Sequence, residues 1–236
     1  MFNRCNGLRL NGLPHVNSPR VHITITACNG VIVSNLHIIA PETSPNTDGI
    51  RDSIIGTVEV HLISKSVASR EGRAMESVNN LFRSCSIGAL GKGGVDVVEN
   101  IEVRNCTLRK TLAGVRIKSW QGGCGYARKI SFKAIKFDAV YNPIIIDQYY
   151  CPTQKDCINS TSAIKLSDIS YSGIMGTSNM DNVINLSRSE SVACTNIAMD
   201  NACISSVTPG RKVSGKCINA HGRISHVKPL FNCLKP

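Results

Sequence analysis

Two stretches of this chain hold residue types at spacings that can do chemistry: Ser44-Pro-Asn-Thr-Asp-Gly-Ile50 and Gly114-Val-Arg-Ile-Lys118. Asp48 sits on a tight Asn-Thr-Asp-Gly bend, where a carboxylate can serve acid–base catalysis. Arg116 and Lys118 alternate along one strand face, so both cations can meet the same negatively charged ligand. Together they fit an anionic sugar. The plainer alternatives are an Asp-Gly turn whose carboxylate bonds its own bend, and an exposed Arg-x-Lys pair that is merely solvated. Arg116 and Lys118, with no acidic residue beside them in sequence, favour ligand binding. Tyr150, next to Tyr149, is a weaker candidate, because either ring can contact a sugar or cover the core.

Glycosidic hydrolysis needs two carboxyl functions flanking the bond. Glu71 lies near a suitable distance after Asp48 but beside Arg70, and Asp52 is the other acidic neighbour. His22 and His61 have no link to either stretch and are expected to be structural.

The elements that position these residues follow from composition and repeat. The chain has 236 residues, 19 glycines, only 5% aromatic residues and a formal charge of +11. That balance favours strands and turns in one domain over 1–236 and an affinity for polyanions. No basic run interleaves with aromatics, which argues against nucleic acid. No apolar run is long enough to cross a bilayer, and the first residues carry no secretion signal. Eleven cysteines point to disulfides; Cys151/Cys157, Cys194/Cys203 and Cys217/Cys233 lie close in sequence. No Cys/His spacing suggests a metal, and no cofactor is expected. The odd count leaves at least one thiol over. Sequons at Asn105, Asn159 and Asn185 permit glycosylation if the chain is secreted.

Five segments share the pattern apolar-x-apolar-x-(small or amide)-apolar-x-apolar, beginning at Val31, Ile101, Ile130, Ile164 and Ile197. Alternation over the first positions is strand-like, and the break at the fifth predicts a bend before a new strand. That is the signature of coils in an all-β, parallel β-helix. Asn35, Asn105 and Asn201 are expected to stack as an amide ladder within the bends. The last four repeats start 29, 34 and 33 residues apart. A weaker copy begins at Val58, but the 43 residues from there to Ile101 fit neither one coil nor two. The competing β-sandwich would need Asn-Gly-type hairpin signals, which are nearly absent.

The chain resembles plant polygalacturonases, the pectin hydrolases of glycoside hydrolase family 28. Ser44–Ile50 is similar to that family's Asn-Thr-Asp-Gly motif and Gly114–Lys118 to its Arg-Ile-Lys motif. Similar too are Asn11–Pro19 with the Val21-His-Ile-Thr-Ile run, Ser86–Gly91, Asn142–Pro152, and the end from Cys217 to Leu234. The resemblance implies a right-handed parallel β-helix, secretion to the cell wall, and inverting hydrolysis of α-1,4-linked galacturonate by a monomer. Carried over by position, Asp48 becomes a site carboxylate, Arg116 and Lys118 hold the substrate carboxylate, and Tyr150 contacts the sugar. Two motifs depart from the family. Its paired aspartates fall at Ser69-Arg-Glu-Gly72, and its Gly-His-Gly histidine falls at Arg83. The chain also resembles only the later part of that fold, so an N-terminally truncated β-helix with impaired hydrolysis is expected. The alternative is a catalytically silent polygalacturonate-binding β-helix. A calcium-dependent pectate lyase would need clustered aspartates, which the sequence lacks.

Overall fold

The computed structural model describes residues 1–16, 18, 22–26, 28, 31–39, 48–53, 58–64, 83–91, 95–151, 160, 163–187, 189 and 191–234. At 16, 26, 34–39, 48–53, 58–64, 83–84 and 187 only the backbone is described. Glu71, Cys157 and Asn159 therefore lie outside the described residues, as do the side chains of Asp48, Asp52 and His61.

The chain begins with β1 (Phe2–Asn3), β2 (Arg9–Asn11), β3 (Pro14–Val16), β4 (Ile23–Thr26) and β5 (Val31–Ile39). It continues through β6 (Asp48–Ser53), β7 (Val58–Ser64), β8 (Arg83–Leu90), β9 (Val95–Arg109), β10 (Ala113–Trp120) and β11 (Cys124–Val140). The last strands are β12 (Asn142–Tyr150), β13 (Lys165–Ser178), β14 (Asn182–Ser187), β15 (Cys194–Ser206), β16 (Ser214–Cys217) and β17 (Ala220–Lys228). Two sheets result. One has eight strands in the order β1-β4-β6-β8-β10-β12-β14-β16; the other has nine, running from β17 through the odd-numbered strands to β5 and β2. Every pairing among the described strands is parallel. From β4 onwards successive strands go to opposite sheets, and each new strand stacks beside the one laid down a coil earlier. This is the parallel β-helix that the repeat predicts.

The core is a set of ladders. Ile101, Ile130, Ile169 and Ile197 sit opposite one another on consecutive strands, each at most 1% exposed. Val103, Phe132, Tyr171 and Met199 form the next ladder, with Phe132 and Tyr171 stacked at 5.2 Å and 12°. From the other sheet Val115, Ile144 and Ile184 face them, as do Ile87, Ile117, Ile146 and Leu186.

The register corrects the fourth repeat. Ile169, not Ile164, stacks on Ile130, so these coils start 29, 39 and 28 residues apart. The Ser-Asp bend at 167–168 belongs to a second row of bends instead. It lies between Arg128–Lys129 and Thr195–Asn196. Both rows adopt left-handed backbone: Asn100, Lys129, Asp168 and Asn196 in one, Asn105, Ala134, Gly173, Asn201 and His226 in the other. Ala134 at φ 52° shows that the bend selects a conformation rather than an amide. Among the described residues, Asn105 meets Ala134 and Asn201 lies between Gly173 and His226, so the expected amide ladder does not form there. A polar ladder does occur in the first row. Asn196 Nδ2 donates to Asp168 Oδ1 at 2.6 Å and Ser167 Oγ to Oδ2 at 2.8 Å, holding the Asp168 carboxyl below the usual range.

The 43-residue interval is one coil. Val58 pairs with both Val31 and Ile101, and β6 pairs with β8 from Asp48 opposite Arg83. Neither ladder skips a rung there.

Cys217 and Cys233 are bridged, with Cα atoms 5.7 Å apart, and Cys151 is bridged to a partner outside the described residues. Cys194 and Cys203 do not bridge. Both lie on β15, where Cys194 points into the core and Cys203 into solvent. The Cys217–Cys233 loop draws Phe231 against Gly215, burying it and Leu234 beside the last strand of the eight-stranded sheet. Closing a loop of this length contributes about 3 kcal/mol in the chain-entropy account.

His15 and His22 meet edge-to-face at 6.3 Å. Burial, and then the neighbouring His15, push the His22 imidazole down to about 4. The folded state thus favours neutral His22. Its contribution is complete above pH 6.5, the ordinary value, and is lost as pH falls towards 4. For a half-buried ring that is on the order of 1–2 kcal/mol once solvent screening is allowed for. Thermal unfolding of wild type should drop between pH 7 and 4.5, and His22→Gln should flatten part of that drop. Phe132→Ala should cost about 3–5 kcal/mol in urea unfolding, whereas Arg104→Ala on the exposed face should cost under about 0.5.

Candidate polyanion-binding site

Strand β10 places the site. Val115 and Ile117 point into the core with no exposed surface, which turns Arg116, Lys118 and Trp120 outwards. The strand can begin here because residue 114 is glycine. A Cβ at that position would collide with the Pro143 carbonyl and the Phe137 ring. Gly88 is constrained likewise: its φ is +106° and a Cβ would strike the Lys118 carbonyl, where the β8–β10 register shifts.

Tyr150, at the end of the neighbouring β12, ties the outward side chains together. Its ring lies 5.2 Å from the Arg116 guanidinium carbon and 5.1 Å from Lys118 Nζ. Trp120 packs on it edge-to-face at 5.7 Å and 83°. One phenol thus carries two cations, each worth about 0.5–2 kcal/mol. Lys118 is consequently only 2% exposed although it points away from the core. Tyr149 is 39% exposed, so neither tyrosine covers the core.

The structure revises the status of Arg116. Its Nη2 donates to Asp147 Oδ2 at 2.6 Å, in an ion pair whose side chains are 18% and 24% exposed. The other oxygen of Asp147 accepts the Tyr149 N–H at 3.1 Å. Arg116 Nε is buried and makes no hydrogen bond among the described residues. The two cations therefore differ. Arg116 is largely neutralised by Asp147, and Lys118 lies under an aromatic lid. Asp147 escaped the sequence reading because it stands 31 residues from its partner. The available signal was the coil spacing, which puts Asp147 directly opposite Lys118.

A cleft of about 470 Å³ opens beside the pair, lined by Ala113, Arg116, Asn142, Ile145, Tyr149 and Asn185 among others. These come from β10, β12 and β14, so the cleft runs along the helix axis. Gln148 fixes its wall from within. Buried at 1% exposure, it donates to the Ile164 carbonyl at 2.6 Å and accepts the Ser189 N–H at 3.3 Å. The backbone of Asp48 lies in the same row as two lining residues, in the sequence Asp48–Arg83–Ala113–Asn142. That places it two strands from Ala113, about 10 Å at normal strand spacing. Asp52 falls in a different row, with Ile87, Ile117 and Ile146 of the core. The structure thus brings Arg116, Lys118 and Tyr150 together and puts the Asp48 strand two rungs away. Among the described residues no group of three His, Cys, Asp or Glu side chains gathers to hold a metal. None of the described elements is a helix long and apolar enough to cross a membrane.

Comparison with known proteins supplies a family. Residues 1–227 match glycosyl hydrolases family 28. A probable polygalacturonase of Arabidopsis thaliana is 39% identical over 99% of this chain and 54% of its own. Polygalacturonase-2 of Solanum lycopersicum is 35% identical over 99% of this chain and 53% of its own. The chain spans about half the length of these curated relatives. Among solved structures, the polygalacturonase from Erwinia carotovora superposes with a TM-score of 0.59 at 21% identity, covering 91% of this chain and 58% of that one. The endo-xylogalacturonan hydrolase from Aspergillus tubingensis gives 0.59 at 20%, covering 93% and 64%. At those identities the superpositions establish the fold.

Removing the Asp147 carboxylate should leave a half-buried guanidinium without its counter-ion. Asp147→Ala is expected to cost about 1–2 kcal/mol in urea unfolding. The Arg116→Ala/Asp147→Ala double variant should cost less than the sum of the singles by about 0.5–1 kcal/mol.

Proposed function

The chain belongs to glycosyl hydrolases family 28, and from that premise we propose that it engages α-1,4-galacturonan (pectin) as a polygalacturonase-type hydrolase with impaired turnover. The observation that carries this reading is the cluster of Arg116 and Lys118 under Tyr150 at the edge of the cleft. A galacturonate carboxylate is a hydrogen-bond acceptor for Arg116 N–H groups that Asp147 does not occupy, with Lys118 as a second cation on the same strand face. The Tyr150 ring, half-buried against both, offers a face to the sugar. Asp48 is the carboxylate assigned to acid–base work. Inverting hydrolysis places a second carboxyl group about 6.5–9.5 Å away with a water between.

Rung order supports the impaired turnover in this reading. The strand beside Asp48 presents Arg83 directly opposite it, and a cation there cannot act as the second acid or base. Secretion to the cell wall fits the Cys217–Cys233 bridge, since disulfides persist in oxidising compartments. The same Asp48–Arg83 neighbourhood favours a second reading, a binding protein that holds galacturonan without cleaving it.

Retention on immobilised pectate and reducing-end release by folded protein separate these readings. Salt-sensitive retention is expected, weakened about five- to tenfold by Lys118→Ala. Slow product formation, abolished by Asp48→Asn, supports hydrolysis; retention with no product supports binding alone. A folded chain with neither property sinks both.

A further inference from the structure

We infer a second anion subsite, formed by Asn185 and Lys216, that takes a further carboxylate of the same polymer two to three coils beyond Arg116. It rests on the galacturonan reading above and extends it along the helix axis.

The strand register carries this. Arg116 stands opposite Ile145, Ile145 opposite Asn185, and Asn185 opposite Lys216. The four form one row on the outward side of the eight-stranded sheet, because their neighbours Val115, Ile144 and Ile184 and Ile117, Ile146 and Leu186 fill the core. At normal strand spacing the row advances about 4.8 Å per coil, which puts Lys216 about 14 Å from Arg116. The side chains form a usable sequence: a cation, an apolar step at half-buried Ile145, an amide, and a second, exposed cation. Arg116, Ile145 and Asn185 already line the cleft. Its floor therefore points at Lys216, on the next strand. A sugar polymer lying in this cleft would rest an apolar ring face on Ile145, meet the Asn185 amide, and bring a later carboxylate to Lys216.

The row also divides the work. At its first position Arg116 shares its charge with Asp147 at 2.6 Å. Arg211, a cation near this end of the sheet, is held by Asp181. Lys216 has no acidic residue in its row. It is separated from Arg116 by more than a Debye length at ordinary salt, so the two cations would act on separate carboxylates and not jointly on one.

The test is affinity against ligand length. Binding of a galacturonate dimer, tetramer and hexamer would be measured by calorimetry at two salt concentrations. Wild-type affinity should rise from dimer to hexamer, and Lys216→Ala should erase about three- to fivefold of that gain while leaving the dimer unchanged. Asn185→Ala should reduce the tetramer and hexamer alike. Lys212→Ala, an exposed lysine outside the row, should change nothing; an equal loss there would mean nonspecific charge and overturn the subsite. Hexamer binding indifferent to Lys216, or a dimer weakened as much as the hexamer, overturns it also and leaves the galacturonan reading intact. A folded wild type that binds no oligomer removes that reading, and the subsite with it.

Discussion

Parallel, in-register stacking is the constraint on which everything else here depends. Each rung repeats the backbone path of the one before, so a side chain's nearest neighbours are those at the same position one coil earlier and one coil later. Inside, this produces columns of like residues, isoleucine on isoleucine and Phe132 on Tyr171, with no need for interdigitating shapes from distant sequence. Backbone hydrogen bonds run along the axis and apolar contact runs with them. A misfit on one rung is therefore felt first by its two neighbours.

The outer face inherits the same rule with opposite chemistry. Because Val115 and Ile117 must point inwards, Arg116 and Lys118 have to point outwards, and the ladder brings Asp147 and Tyr150 to meet them. The cationic face is thus a by-product of core alternation plus one aromatic residue at a strand end. Tyr150 sets its ring face 5.1 Å from Lys118 Nζ, where the negative quadrupole favours a cation. Asp147 tempers the other cation. Without that balance two adjacent cations would repel across one strand.

Much of this was written in the local sequence. Alternation with a break at the fifth position marks the strands and bends correctly at Ile101, Ile130 and Ile197, and the fifth residues there are the left-handed ones. The same rule misplaced the fourth coil, because Ile164 and Ile169 both begin plausible runs and only the neighbouring rung decides between them. Cys194 and Cys203 looked pairable by spacing, yet nine residues of one strand hold them apart and on opposite faces. Asp147 was invisible for the converse reason: its partner is a full coil away. The motifs single out Arg116, Lys118 and Tyr150, whose side chains the fold gathers, whereas the positions of Asn142, Asn185 and Lys216 beside them follow only from the register. Proximity along the axis is periodic in sequence, but the period varies from coil to coil.

That variation has a price in chain entropy small enough to ignore. The coil from Val58 to Ile101 takes 43 residues where its predecessor from Val31 takes 27, and each advances the ladder by one rung. For a flexible connection the extra closure entropy is about 0.4 kcal/mol, since the cost grows only as the logarithm of length. The ladder counts rungs and is blind to what hangs between them. Heredity can therefore edit the periphery of such a solenoid freely, lengthening a coil by half again while the backbone ladders on either side of it stay paired. An edit that adds or removes a whole rung is different in kind: it changes no residue's identity, yet gives every residue at the seam a new neighbour.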